Sequence, residues 1–146
     1  MPRAEAPWWG IAARWLLVLA FLATGLGKAL DVAGFASVLG TYRLLPAPLL
    51  LPTAAAITAV ELAIAVGLAW RPALRLAALA ALALALVNAA VLALTLARGI
   101  ALENCGCFGV FLARPLRPWT PLEDLMLAGL ALLTLTAHPA RRLAPC

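Results

Sequence analysis

Apolar residues fall into four long runs separated by short polar breaks. Each run is long enough to cross a bilayer as a helix, which takes about 20 residues. The first covers 8–30, with Arg14 near its start and Lys28 near its end. Trp8 and Trp9 open it in the position of an aromatic belt, and no convincing A-x-A cleavage site follows, so it reads as a spanning helix and not as a signal peptide. The second covers 47–70, with Pro52 as an alternative start, and stops at Arg71-Pro72 because proline disfavours helix in the residue before it. A tight turn leads to the third, 73–97, built mainly of alanine and leucine. Its Arg98-Gly99 ending sets a cation on the negative helix end and a glycine where a left-handed cap is easy. The fourth, 120–137, opens with Thr120-Pro121-Leu122-Glu123, the order of a threonine N-cap, a proline at the first helical position and the glutamate of a capping box.

Between the first two runs hydropathy drops over 31–46, yet Phe35, Val38 and Leu39 keep helical spacing, which predicts a short helix lying along the membrane interface. The expected fold is therefore an all-α integral membrane protein, a four-transmembrane-helix up-down bundle in one domain over 1–146, with a polar loop at 98–119. Composition agrees. The chain is 66% hydrophobic and 12% charged, where a soluble domain carries about a quarter charged residues, and its mean hydropathy is +1.04. A net charge of +5 does not imply nucleic acid, because the basic residues are scattered at the ends of apolar runs where they meet lipid headgroups. Arg3, Arg14, Arg71, Arg75, Arg141 and Arg142 fall on the side of the termini, and Lys28, Arg43, Arg98, Arg114 and Arg117 on the other. The small excess puts both termini in the cytoplasm and the 98–119 loop outside the inner membrane.

That loop holds the concentrated chemistry, Glu103-Asn104-Cys105-Gly106-Cys107-Phe108-Gly109. A cysteine acts as nucleophile or metal ligand once it is a thiolate. Cys105 and Cys107, one residue apart, can close a small ring, with Gly106 relieving its strain, and strained disulfides are the labile ones. A structural disulfide here would staple almost nothing. No metal site is assigned, since a closed site wants about four ligands and the one histidine, His138, is expected across the membrane. Two uninvolved thiols remain open as a reading. Cys146, alone at the chain end, cannot reach a disulfide on the far face.

Lys28 and Glu61 are ionisable residues in apolar spans, which marks function or an internal pair. Snorkelling to water is the simpler use of Lys28. Glu61 lies about 12 Å below the face if its helix starts near Thr53, at 1.5 Å per residue, so contact with Lys28 would need a tilt or a bridging water. Arg98, Arg114 and Arg117 flank the thiols and favour thiolate, while Glu103 opposes it. Asp124 suits the positive start of the fourth helix, Asn88 offers an interhelical hydrogen bond, and Gly25 and Gly27 allow close packing of the first helix.

Gly25-Leu26-Gly27-Lys28, Phe35, Tyr42-Arg43-Leu44-Leu45-Pro46, Val60-Glu61-Leu62, Ala97-Arg98-Gly99, Asn104-Cys105-Gly106-Cys107-Phe108-Gly109 and Glu123-Asp124 occur together. In this set the chain resembles the MauE-type methylamine-utilisation membrane proteins within the broader DoxX-like group, over roughly 12–135. The resemblance implies a four-helix membrane protein tied to disulfide formation or thiol transfer outside the cytoplasm, as in maturation of the disulfide-rich small subunit of methylamine dehydrogenase. It also implies Cys105 and Cys107 as a redox pair, with Lys28, Glu61 and Asp124 in support. Its partners would be a thioredoxin-like protein or a disulfide-rich substrate, with electrons passing to a membrane acceptor such as quinone and assembly into homo- or hetero-oligomers open. The rival reading is a non-enzymatic membrane chaperone or anchor subunit, whose cysteines bind Cu(I) or stiffen the loop.

Overall fold

The computed structural model describes residues 7–138. Arg3, Arg141, Arg142 and Cys146 lie outside the described residues. Five α-helices follow in order: α1 Trp8–Ala29, α2 Val32–Thr41, α3 Ala47–Ala69, α4 Leu74–Ala97 and α5 Thr120–Ala137, with a single 3-10 turn, Arg71–Ala73, between α3 and α4. Four of them, all but α2, are long and apolar enough to span a membrane. The protein is an all-α, four-helix membrane bundle.

The four long helices form a closed ring in which α1 packs on α3 and α5, and α4 packs on α3 and α5. Neighbours are antiparallel. Arg14, early in α1, donates to the carbonyls of Leu68 and Ala69 at the end of α3, at 2.6 Å each. Arg75, at the start of α4, donates to the carbonyl of His138 after α5. The last carbonyls of a helix have no partner within it, and at the end of α3 Arg14 satisfies two of them. Its guanidinium also sits 5.4 Å over the Trp15 ring. From the sequence Arg14 was only a topology signal; in the fold it ties two helices.

The core follows from side-chain size. Leu17, Val18 and Phe21 of α1 meet Ile64, Ala65 and Leu68 of α3 over the small residues Ala77, Ala78 and Ala81 of α4. Along α4 the buried positions Ala77, Ala81, Ala85 and Ala89 recur every four residues, so one alanine face approaches its neighbours closely. The other face, with Leu76, Leu79, Leu86, Val87 and Leu94 exposed, is dressed for lipid. Three buried threonine hydroxyls are satisfied inside their own helices: Thr58 donates to the Ala54 carbonyl, Thr95 to Val91 and Thr134 to Leu130.

Two helix ends bear on the expectations. At the end of α4, Gly99 is left-handed (φ 67°), its N–H bonds the Leu96 carbonyl, and the Ile100 N–H bonds Thr95, a complete Schellman stop. The capping box at the start of α5 does not form. The Thr120 hydroxyl accepts from the Arg117 N–H, and Glu123 pairs with Arg114. Pairing across the loop takes the glutamate away from the helix end.

The short helix α2 is present, capped by Asp31, whose carboxylate accepts from the Gly34 N–H at 2.7 Å. Its Phe35 and Ala36 bury against Ala54, Leu50 and Ile57 of α3. α2 therefore covers the part of α3 that extends beyond the end of α1.

Candidate functional site

The polar loop folds back onto the bundle, and its backbone is held at several points. Cys105 donates its N–H to the Arg114 carbonyl at 2.8 Å, and its own carbonyl accepts the Tyr42 hydroxyl at 2.6 Å. The Asn104 side chain accepts from the Gly106 N–H and donates to the Gly109 carbonyl, clasping the turn that holds both cysteines. Gly106 is left-handed (φ 71°), and a Cβ there would press within 3.0 Å of Val38 and 3.1 Å of Phe35 on α2. The second crossing is backbone on backbone: a Cβ on Gly27 would lie 2.6 Å from the Phe108 carbonyl oxygen. Close packing at Gly27 was legible; that its neighbour is the cysteine loop was not.

Beneath the loop lies a buried ion pair. Lys28 Nζ donates to both carboxylate oxygens of Glu61, at 2.9 and 2.8 Å, and to the Cys107 carbonyl at 2.8 Å. All three ammonium protons are thereby used. The Phe35 ring lies 5.3 Å from the same nitrogen. Lys28 is 4% exposed and does not snorkel. Contact with Glu61 is direct, with no water between, because the start of α3 lies beyond the end of α1. Gly25 abuts Leu62 and Glu61, so Glu61 sits about a turn below the end of α1, while α3 runs on to Ala47 under the cover of α2.

Next to the ion pair is a cavity of about 210 Å³, with Phe21 and Leu127 among its apolar walls and Lys28, Glu61, Asn88, Cys107 and Asp124 among its polar ones. Asn88 faces this cavity and makes no side-chain hydrogen bond to a neighbouring helix among the described residues. Asp124, 9% exposed, also faces it from the first turns of α5. Arg114 and Glu123 close the rim, 2.6 Å apart. A quinone ring needs hydrogen-bond donors for its carbonyls. With Lys28 fully engaged, the wall donors left for one are the Asn88 amide, the Thr120 hydroxyl and the Arg114 N–H groups not taken by Glu123.

The two sulfurs lie 3.0 Å apart as free thiols, Cys105 buried and Cys107 half-buried. The hydrogen bond between them divides their acidities. It pushes the Cys105 thiol down to about 6, with backbone N–H groups and Arg114 helping against the cost of burial. The same bond, together with burial and the nearby Cys105 and Asp124 charges, pushes Cys107 up, with Lys28 opposing. The pair holds one proton that is hard to remove and one thiolate at neutral pH. Tyr42 is pushed up by burial and by both thiols, which keeps its hydroxyl a donor to Cys105.

Of the candidate residues, Lys28, Glu61, Cys107 and Asp124 surround one cavity, with Cys105 against its loop wall. Arg98 does not join them. Its guanidinium donates to the carbonyls of Tyr42 and Arg43 at the end of α2, so it bears on the thiols only by steadying Tyr42. Arg117 stacks on Trp119. His138 lies at the opposite end of the bundle, beside Gly10. Tyr42 and Asn104, which hold the loop, had no assigned role from sequence; a lone tyrosine just before Arg43 and a polar residue beside the cysteines were the available signals.

Fold and site together define a four-span helical membrane protein that carries a dithiol loop over a buried lysine–glutamate pair. The family model described as "Methylamine utilisation protein MauE" matches residues 6–137. The chain belongs to that family. It is 40% identical over 129 residues to the "Methylamine utilization protein MauE" of Paracoccus denitrificans, an alignment covering 88% of this chain and 69% of that one. No solved structure matches it significantly.

Proposed function

We propose that the chain is a membrane thiol–disulfide redox protein of methylamine utilisation, in which Cys105 and Cys107 cycle between dithiol and disulfide against a protein partner outside the cytoplasm. The observation that carries this reading is the pair itself: free sulfurs 3.0 Å apart, with Cys105 pushed down to about 6. A thiolate is the attacking species in exchange. Cys105 attacks a partner disulfide, forming a mixed disulfide and releasing one partner thiolate. Cys107 then gives up its proton and attacks Cys105 Sγ, closing the internal disulfide and releasing the second partner thiolate. Two electrons leave the pair for the partner. The reverse sequence oxidises a partner dithiol.

The charge bias along the chain supports termini in the cytoplasm and the cysteine loop on the outer side of the inner membrane. Cys105 is only 6% exposed, so a protein partner, thioredoxin-like or itself rich in disulfides, must dock on the loop to reach it. The test is a trap. Cys107→Ser keeps a hydroxyl that can donate to Cys105 but removes the resolving sulfur. Expressed in cells, it accumulates a mixed disulfide through Cys105 with an extracytoplasmic protein. If neither single cysteine variant forms one and neither loses activity, the reading fails.

A further inference from the structure

We infer that Asp124 relays the proton that Cys107 surrenders when the pair closes and recovers when it opens. This rests on the redox reading of Cys105 and Cys107 and adds a residue that handles protons within it. The charged groups around the cavity leave Asp124 singled out. Lys28 from α1 is matched to Glu61 from α3, and Arg114 from the loop to Glu123 from α5. α4 contributes Asn88, which carries no charge. Asp124 is the carboxylate left without a cation. No side-chain hydrogen bond or ion pair reaches it among the described residues, and although the residue is nine-tenths buried, its unpartnered carboxylate oxygens are not sealed in the core but open on the cavity.

Cys107 lines the same cavity, and its thiol is the one that must lose a proton before it can resolve a mixed disulfide. A carboxylate and a thiol that line one cavity can exchange such a proton directly or through water held there. In the closing step the proton passes from Cys107 Sγ to the Asp124 carboxylate, the Cys107 thiolate bonds to Cys105 Sγ, and the bond from Cys105 to the partner breaks. In the opening step a partner thiolate breaks the internal disulfide at Cys105, and the Asp124 carboxylic acid returns the proton to the departing Cys107 thiolate. Neither step needs an oxidant beyond the partner disulfide. Lys28 cannot serve in place of Asp124, because its three protons are held by Glu61 and the Cys107 carbonyl.

The experiment follows the two steps separately in the full chain reconstituted in nanodiscs, with oxidised glutathione as the probe. Asp124→Asn forms the Cys105 mixed disulfide at the wild-type rate but resolves it about 100-fold more slowly, the usual size of a lost acid–base group. Its resolution rate loses the wild-type pH dependence, and Asp124→Glu restores most of both. Asp124→Asn resolving at the wild-type rate with the wild-type pH profile overturns the relay. A wild-type chain that never forms the mixed disulfide overturns the redox reading instead. A second measurement needs no variant, because the chain has only two aspartates, Asp31 and Asp124. In protein labelled with carboxyl-13C aspartate, the Asp124 resonance shifts between the dithiol and disulfide states at constant pH, and that of Asp31, which caps α2, does not. An Asp124 signal indifferent to the redox state overturns the relay.

Discussion

Gly109 and Gly27 meet backbone to backbone: a Cβ on Gly109 would lie 2.5 Å from the Gly27 carbonyl oxygen. This crossing seats the cysteine loop on the membrane bundle. Gly109 is also left-handed (φ 72°), so alanine there is strained twice, by conformation and by contact. Gly109→Ala is expected to destabilise the loop by about 1–3 kcal/mol, the cost of overpacking. Gly99→Ala is the control, since a Cβ at Gly99 meets nothing within 4 Å and carries only the conformational strain. Protease or hydrogen-exchange mapping of 100–118 should show opening in the first variant and little in the second.

Lys28 and Glu61 are worth more to the fold as a pair than either is alone. Lys28→Met leaves a buried carboxylate uncompensated and frees the Cys107 carbonyl, and is expected to cost about 3–5 kcal/mol. Lys28→Met with Glu61→Gln removes both charges and should recover a large part of that. Thermal melts in detergent across the double-mutant cycle measure the coupling. Additive losses would mean that the pair is not the unit.

The acidity of Cys105 fixes a pH window. With its thiol at about 6 against 9.0 for an ordinary cysteine, alkylation of Cys105 should rise through pH 6 and level off well below pH 8. The sign for stability follows. A depressed acid contributes stability that is full above its unfolded value and is lost as pH falls through 6, so stability climbs between pH 6 and 9. Above 9 the raised Cys107 opposes the gain, because the unfolded chain then releases a proton that the folded chain keeps. Rates of iodoacetamide labelling at Cys105, read by peptide mass spectrometry in Cys107→Ser and wild type, check the first part. A midpoint near 9 in wild type contradicts it.

The long helices were legible because lipid leaves few ways to hide a backbone, so apolar length alone predicts them. Gly99 announced its cap and Cys105-Gly106-Cys107 its chemistry for equally local reasons. What the sequence hid was registry. Placing Lys28 against Glu61 requires knowing that α3 runs on beyond α1, and α2, which masks that overhang, is too short to advertise its role. The loop's descent onto Gly27, the Tyr42 hydroxyl on Cys105 and the turn of Asn88 into the cavity are contacts between distant segments, to which periodicity is blind.

Two arginines once grouped together now separate. Arg114 is close enough to Cys105 to favour its thiolate, whereas Arg98 holds the end of α2. Arg114→Gln should move the Cys105 labelling midpoint to higher pH with little change in melting temperature. Arg98→Gln should lower the melting temperature, by loss of hydrogen bonds to a charged group of about 1.5–3 kcal/mol, and leave the midpoint nearly in place. Exchanged phenotypes would reverse the two roles.

Everything proposed for this protein requires its paired sulfurs to exchange electrons reversibly, and equilibrating the reconstituted chain across a series of glutathione potentials measures that most directly. After acid quenching and alkylation, the Cys105–Cys107 peptide should pass from two labels to none along a single two-electron curve. Two labels at every potential, on a folded protein, would contradict the account.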